Sequence, residues 1–329
     1  TITIMFGWVV LNFTAGAKLI SEYTPINYNL SVIIVGGIIL LYLLAGGFDA
    51  VVKTDIVQTI GIFLLFVLMM FLLITTHVKP SLSVGDLFHI PAMQIISFFL
   101  AGFFIPMASP ELWQRVYAIK DKNHFRRSII LSSLFYIIVG FILLLIGLVI
   151  RAEIPDIPPD TSLIVGFSRL LPVGLAGLSV VIIYSSVSSS ADTYMFTASA
   201  SVTQDLFEKT GLTTRENLRL TMRFTLAGLM LLGVVMAVLL RDIVDATFFF
   251  VSLTMSLGFL VLVIWIYPKV NRYSVNLSMV ACLLGVIIPA SLVGISEVLV
   301  QWAIGFCILG LLLGYLIYLV RPASAGTAP

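Results

Sequence analysis

Ten separate segments of this chain are each long and apolar enough to cross a bilayer, and few folds tolerate that pattern. They are residues 1–17, 30–47, 56–76, 92–109, 128–150, 172–205, 224–240, 246–267, 277–296 and 299–320. An α-helix rises about 1.5 Å per residue, so about 20 apolar residues match the roughly 30 Å hydrocarbon core. No water is available there, so each segment must satisfy its own backbone, which a helix does. Composition agrees: 60% of residues are hydrophobic and 10% charged, against about 45–50% and 25% in soluble domains. The expected class is an all-α, polytopic membrane protein. A net charge of +2 says nothing about nucleic acid; no nucleic-acid partner is expected, and the bilayer itself is the expected surround. The two cysteines, Cys282 and Cys307, sit in apolar runs without metal spacing and read as small core residues.

Lys and Arg fix an orientation. With the start of the chain inside, the inner connections and the tail collect Lys53, Arg115, Lys120, Lys122, Arg126, Arg127, Lys209, Arg215, Arg219, Arg223, Lys269, Arg272 and Arg321. The outer set is Lys18, Lys79, Arg151, Arg169 and Arg241. All 18 basic residues are thereby placed, and the imbalance obeys the positive-inside rule. A multi-pass protein of the cytoplasmic (inner) membrane is expected, with both ends of this chain cytoplasmic. Residues 1–322 read as one transmembrane domain and 323–329 as a short flexible tail. The acidic, proline-rich stretch 151–163 predicts a structured or lid-like loop, not a helix, and 164–170 a short amphipathic turn. The chain starts at Thr1 with apolar sequence and no basic n-region, so a signal peptide is unsupported and a missing upstream part is expected.

The stretch from Leu171 to Phe207 stands apart from the other spans. It is nearly uncharged and longer than a bilayer requires, yet its centre carries Ser185, Ser186, Ser188, Ser189, Ser190, Asp192, Thr193 and Thr197. At 3.6 residues per turn, Ser186, Ser189, Ser190, Thr193 and Thr197 share one face. Asp192 lies off that face with Ser185, Ser188 and Ser199. Any one of these hydroxyls could serve close helix contact. A whole strip of small oxygen ligands at membrane depth suits a hard cation such as sodium. Asp192 is the only acidic residue well inside a span. Such a residue costs about 2.5–3.5 kcal/mol at a helix centre, so it needs a partner. Holding a cation, relaying a proton and accepting hydroxyl hydrogen bonds are the roles open to it.

A second stretch, residues 46–61, reads GGFDAVVKTDIVQTIG. Gly46 and Gly47 end one span, a short cytoplasmic turn is expected, and Asp55 and Gln58 open the next. Asp55 there either caps a helix or puts a carboxylate in a cytoplasmic vestibule where a cation leaves. Enzymatic chemistry finds no support. His77, His89 and His124 lie in connections without metal-spaced partners, and no phosphate loop, zinc-protease motif or nucleophile elbow with its histidine is present.

These residues carry a family resemblance. Gly46, Gly47, Ala50, Val51, Thr54, Asp55 and Gln58 form one motif, Pro110 and Arg115 before the basic loop a second. The third runs from Leu171 to Leu178, through Ser189 and Ser190, to Thr203, Asp205, Leu206 and Phe207. In this order and spacing the chain resembles the sodium:solute symporter family, over essentially its whole length. The resemblance implies a LeuT-like inverted-repeat core, with core helices 3–10 and two further helices in this chain and core helices 1 and 2 missing. It implies a sodium site whose helix 8 half is Ser186, Ser189 and Ser190, its other half falling on core helix 1. It implies a second cation or proton site at Asp192 and Ser188, and a cytoplasmic ion-release role for Asp55. Gly102, Ile105 and Pro106 match substrate-lining positions but depart from the residues of the sugar and proline types. The implied function is sodium-coupled symport of a small organic solute (an amino acid, carboxylate or similar) by alternating access, with Na+ as coupling ion. Two alternatives stay open: a proton-coupled transporter using Asp192, and a symporter-like membrane sensor.

Overall fold

The computed structural model describes residues 2–76, 91–109, 112–113, 116–117, 119 and 121–320. Pro110 and Arg115 of the second motif, His77, His89 and the tail 323–329 lie outside them. The described chain is helical: α1 Ile2–Tyr23, α2 Tyr28–Thr75, α3 Ala92–Ala108, α4 Lys122–Glu153, α5 Ser162–Leu170, α6 Val173–Ser201, α7 Leu218–Leu239, α8 Ile243–Ile266, α9 Arg272–Val293 and α10 Leu299–Val320. Nine helical stretches among the described residues are long and apolar enough to cross a membrane, two of them the halves of α2, and α3 is a shorter apolar helix. Each of the ten expected segments thus corresponds to a helix or half-helix, with ends shifted by several residues. The protein is a multi-pass membrane protein.

Local chemistry explains several helix starts. The Asn27 side chain accepts from the Leu30 N–H at the head of α2, and Asn271 does the same for Ser274 at the head of α9. Asp121 caps α4 through the Asn123 N–H. Its bond to His124, with the backbone bond to Asn123, holds this exposed carboxylate below the ordinary aspartate range.

Three expectations need correction. No separate turn follows Gly47. α2 continues through it with a bend, because Gly47 takes φ 57° and ψ −140°, a backbone conformation closed to most other residues. The helical halves are Tyr28–Gly47 and Asp49–Thr75, so Asp55 and Gln58 stand inside a helix and not at its head. The 151–163 stretch begins helical, since α4 runs to Glu153, and then forms a loop with a 3₁₀ turn at Pro159–Thr161. The amphipathic turn is longer than expected, a nine-residue helix, α5. Lys18 of α1 pairs with Asp160 of this loop, both largely shielded.

The long helix is present, and its tail changes pitch. α6 runs from Val173 to Ser201 and continues as a π-helical segment, Val202–Glu208. Thr203 in that segment donates to Thr225 of α7 at 3.4 Å.

The chain divides into two compact units, residues 1–82 with 119–244, and 83–118 with 245–329. In the first, α1 packs against α2, α6 and α7, and α2 also against α6. Leu19, Leu72, Ile146, Ile150 and Phe167 are fully or almost fully buried at one end of this core. In the second unit, α9 and α10 form a tight hairpin. Gly310 and Gly314 allow it: a Cβ on either would fall 2.6 Å or 2.4 Å from the Cα of Ser278 or Ser274. Cys282 and Cys307 are buried free thiols in this unit.

Candidate functional site

The bend in α2 turns its second half so that Thr54, Asp55 and Gln58 face the hydroxyl-rich middle of α6. Positions i, i+1 and i+4 share a helix face, and each of the three meets an α6 side chain. Ser189 Oγ donates to Asp55 Oδ1 at 2.7 Å. Gln58 Nε2 donates to Ser188 Oγ at 3.0 Å. Thr54 Oγ1, whose nearer acceptors are the Ala50 and Val51 carbonyls, lies 3.4 Å from Asp192 Oδ2. From the first half of α2, the Tyr42 hydroxyl donates to the same Asp192 oxygen at 2.7 Å.

Burial separates most of the two α6 faces, with Ser185 the exception: it shares the face of Asp192 by helical angle but is half-buried. Ser188, Asp192 and Ser199 are buried, Asp192 with 0% exposure. Ser186, Ser189, Ser190, Thr193 and Thr197 are half-buried. Ser190 Oγ leans toward the Ser186 carbonyl at 3.5 Å, so Ser186 and Ser190 present one carbonyl and one hydroxyl close together. Ser189 stands between this pair and Asp55. Asp55 and the serine face, separate expectations from the sequence, meet at one place. Gly102, Ile105 and Pro106 lie on α3 of the second unit, Pro106 within the helix.

Three residues of the cluster, Thr54, Tyr42 and Gln58, were not singled out as site residues in the sequence, Thr54 being legible only as a motif letter. Tyr42 is one of only two polar side chains in the 30–47 span, the other being Ser31. Gln58 was legible only as a motif letter. A polar residue isolated in an apolar span was the available signal for Tyr42.

The electrostatics are unbalanced. Asp55 of α2 meets the stretch of α6 that carries Asp192, and neither carboxylate has a Lys, Arg or His ion pair among the described residues. An uncompensated carboxylate at membrane depth is expensive. The Gln58 carbonyl, Oε1, is buried with no hydrogen-bond partner, in a residue only 7% exposed. A buried orphan acceptor also costs free energy. All the groups short of positive charge or donors here are oxygens: carboxylate, hydroxyl and amide carbonyl. Among the described residues no group of three or more His, Cys, Asp or Glu gathers as a metal site. Oxygen-only donors fit a hard cation and are poorly suited to a transition metal.

The comparisons with known proteins agree with this chemistry. The sequence profile of the Sodium:solute symporter family matches residues 1–285. A sodium/myo-inositol cotransporter 2 from Bos taurus is 25% identical over 252 residues, covering 62% of this chain and 37% of the relative. A sodium/pantothenate symporter of Escherichia coli K12 is 26% identical over 220 residues, covering 61% of this chain and 45% of its own. The chain therefore spans less than half the length of these curated relatives. The solved structure of a Na+-coupled sialic acid symporter, in a substrate-bound outward-open state, superposes with a TM-score of 0.68 at 16% identity. It covers 100% of this chain and 74% of that one, which shows the fold to be the LeuT-like one. A family match over most of the chain places this protein in the sodium:solute symporter family.

Proposed function

We propose that this chain is the ion-binding part of a secondary active transporter that couples sodium entry to uptake of a small organic solute. The observation that carries the reading is the convergence of Asp55, Ser189 and Asp192, without a basic partner, beside the orphaned Gln58 carbonyl. Sodium entering there balances charge that the protein leaves unbalanced. Ser186, Ser189 and Ser190 form one wall of the principal sodium site, and Asp192 with Ser188 serves a second cation. Asp55, bonded to Ser189, stands where an ion leaving that wall meets a carboxylate.

Coupling follows from the placement of these groups on different helices. A cation bridging them binds one arrangement of the helices more tightly than another, and that difference biases alternating access. Gly102, Ile105 and Pro106 on α3 are proposed to line the solute cavity. The relatives named for myo-inositol, pantothenate and sialic acid support a small organic solute. The excess of basic residues on one set of connections supports an inner-membrane protein with both ends of the chain cytoplasmic.

Sodium binding tests this without knowledge of the solute. In the purified intact protein, Ser189→Ala and Asp55→Asn are each expected to weaken binding of radiolabelled sodium at least tenfold, about 1.4 kcal/mol. Unchanged affinity in both variants would overturn the assignment. The short Tyr42–Asp192 bond favours one second reading, proton coupling through Asp192. Uptake driven by a pH gradient in sodium-free buffer, and lost in Asp192→Asn, would replace sodium with the proton.

A further inference from the structure

Where α2 bends at Gly47, three helices of the first unit leave a space. A cavity of about 490 Å³ lies between the last turn before the bend, Phe196 of α6 and the first turns of α7. That volume is within the range of small-molecule sites. Leu43, Phe196 and Leu226 form its apolar part, and the polar part holds Arg219 and Arg223 of α7 beside Gly46 and Gly47. Arg219, Arg223 and Leu226 are spaced i, i+4 and i+7, so a single face of α7 lines the space.

The charges around it do not balance. Three carboxylates on the neighbouring segments are already paired: Asp49 with Lys53 at 2.6 Å, Asp205 with Lys209 at 2.7 Å and Glu208 with Arg215 at 3.3 Å. Glu216, three residues before Arg219, makes no ion pair with either arginine, and among the described residues neither arginine has a carboxylate within 4.0 Å. Two like charges at i and i+4 repel, and an anion held between them removes the repulsion. Guanidinium forks match the oxygens of a phosphate group, which accepts from both. The flank of the same helix turns is apolar and exposed: Leu220 is 56% exposed and Phe224 70%. A ligand with a phosphate beside a hydrocarbon chain fits that division between charged cavity and lipid-facing flank.

We propose that this cavity binds the headgroup of an acidic phospholipid, its phosphate held by Arg219 and Arg223 beside the bend in α2. The bound lipid joins α2 to α7 and stabilises the bent arrangement. A free phosphate-type anion shares the recognition chemistry, and the test separates the two. The site does not depend on sodium coupling.

The experiment uses the intact protein purified in a neutral detergent, with thermal unfolding and native mass spectrometry as readouts. The three probes are phosphatidylglycerol, phosphatidylcholine and inorganic phosphate. Phosphatidylglycerol is expected to raise Tm and remain bound, and phosphatidylcholine to do neither. Arg219→Gln combined with Arg223→Gln is expected to weaken phosphatidylglycerol about 30-fold, at roughly fivefold per arginine. Arg215→Gln, which removes a charge paired with Glu208, leaves the response unchanged. Arg223→Lys alone keeps the charge, loses the fork and gives a partial loss, so the site stays testable should the double variant not fold. An arginine-dependent response to inorganic phosphate but not to the lipid would give the cavity to a soluble anion and overturn the lipid. An undiminished lipid response in the double variant, or an equal loss in Arg215→Gln, would overturn the site.

Discussion

The half-buried Tyr42 donates its hydroxyl to the fully buried Asp192 carboxylate at 2.7 Å, so each residue sets what the other tolerates. Without that bond the carboxylate keeps, among the described side chains, the Thr54 and Thr193 hydroxyls, both at 3.4 Å, near the limit of a useful hydrogen bond. Tyr42→Phe is therefore expected to cost about 1–3 kcal/mol, more than an ordinary membrane hydrogen bond, because the group left behind is charged. Thermal unfolding in detergent measures the loss. If a cation shares Asp192, replacing choline with sodium stabilises the variant and shrinks the deficit. An identical deficit in both salts would put Asp192 outside the ion site. At this scale the sequence marked out Asp55, Ser189 and Asp192 as polar residues beside or within apolar spans. It did not show their partners. Helical angles say which residues share a face, but not which helix lies opposite, and Tyr42 is 150 residues from Asp192.

At the scale of the element, α2 decides whether that cluster exists. Two glycines in a row read as the end of a helix, and a turn was the natural expectation. The second helical half begins at Asp49, directly after the positive φ of Gly47, so the chain changes direction there without a longer turn. The bend leaves Asp55 well inside the second half, facing α6. Gly47→Ala must place an L residue at φ 57° and ψ −140°, at a cost of about 1–3 kcal/mol. Gly37→Ala, where a Cβ meets nothing within 4 Å, serves as the control and is expected to be neutral or slightly stabilising. Because Gly47 aims Thr54 and Asp55, its variant should also lose stabilisation by sodium while Gly37→Ala keeps it. Equal behaviour of the two in both assays would mean the bend is not required. The switch of α6 to π geometry at Val202 was not legible either, because a 3.6-residue pattern continues without a mark through the motif residues Thr203 and Asp205.

For the whole molecule, hydropathy alone gave the class and the number of segments, because a bilayer forces long apolar helices whatever they pack against. It said nothing about how the helices group into two units, which depends on contacts such as the Gly310–Ser278 approach that no period encodes. Orientation is a further property of the whole, and it rests on where the basic residues fall. Lys18, one of the five assigned to the outer side, is paired with Asp160, so its charge weighs less against the inward bias than the count implies. A single crossing, α6, separates the acidic loop from the basic connection before α7. Asp156 on the loop and Lys209 on the connection are both exposed, while the native thiols Cys282 and Cys307 are buried and should contribute little background. In intact cells, a membrane-impermeant maleimide should label Asp156→Cys directly and Lys209→Cys only after permeabilisation. The reverse pattern would invert the protein in the membrane and move Asp55 and the arginine-lined cavity to the outer face. Labelling of both from one side would mean that α6 does not cross at all, and a sodium pathway through its serines would fail with it.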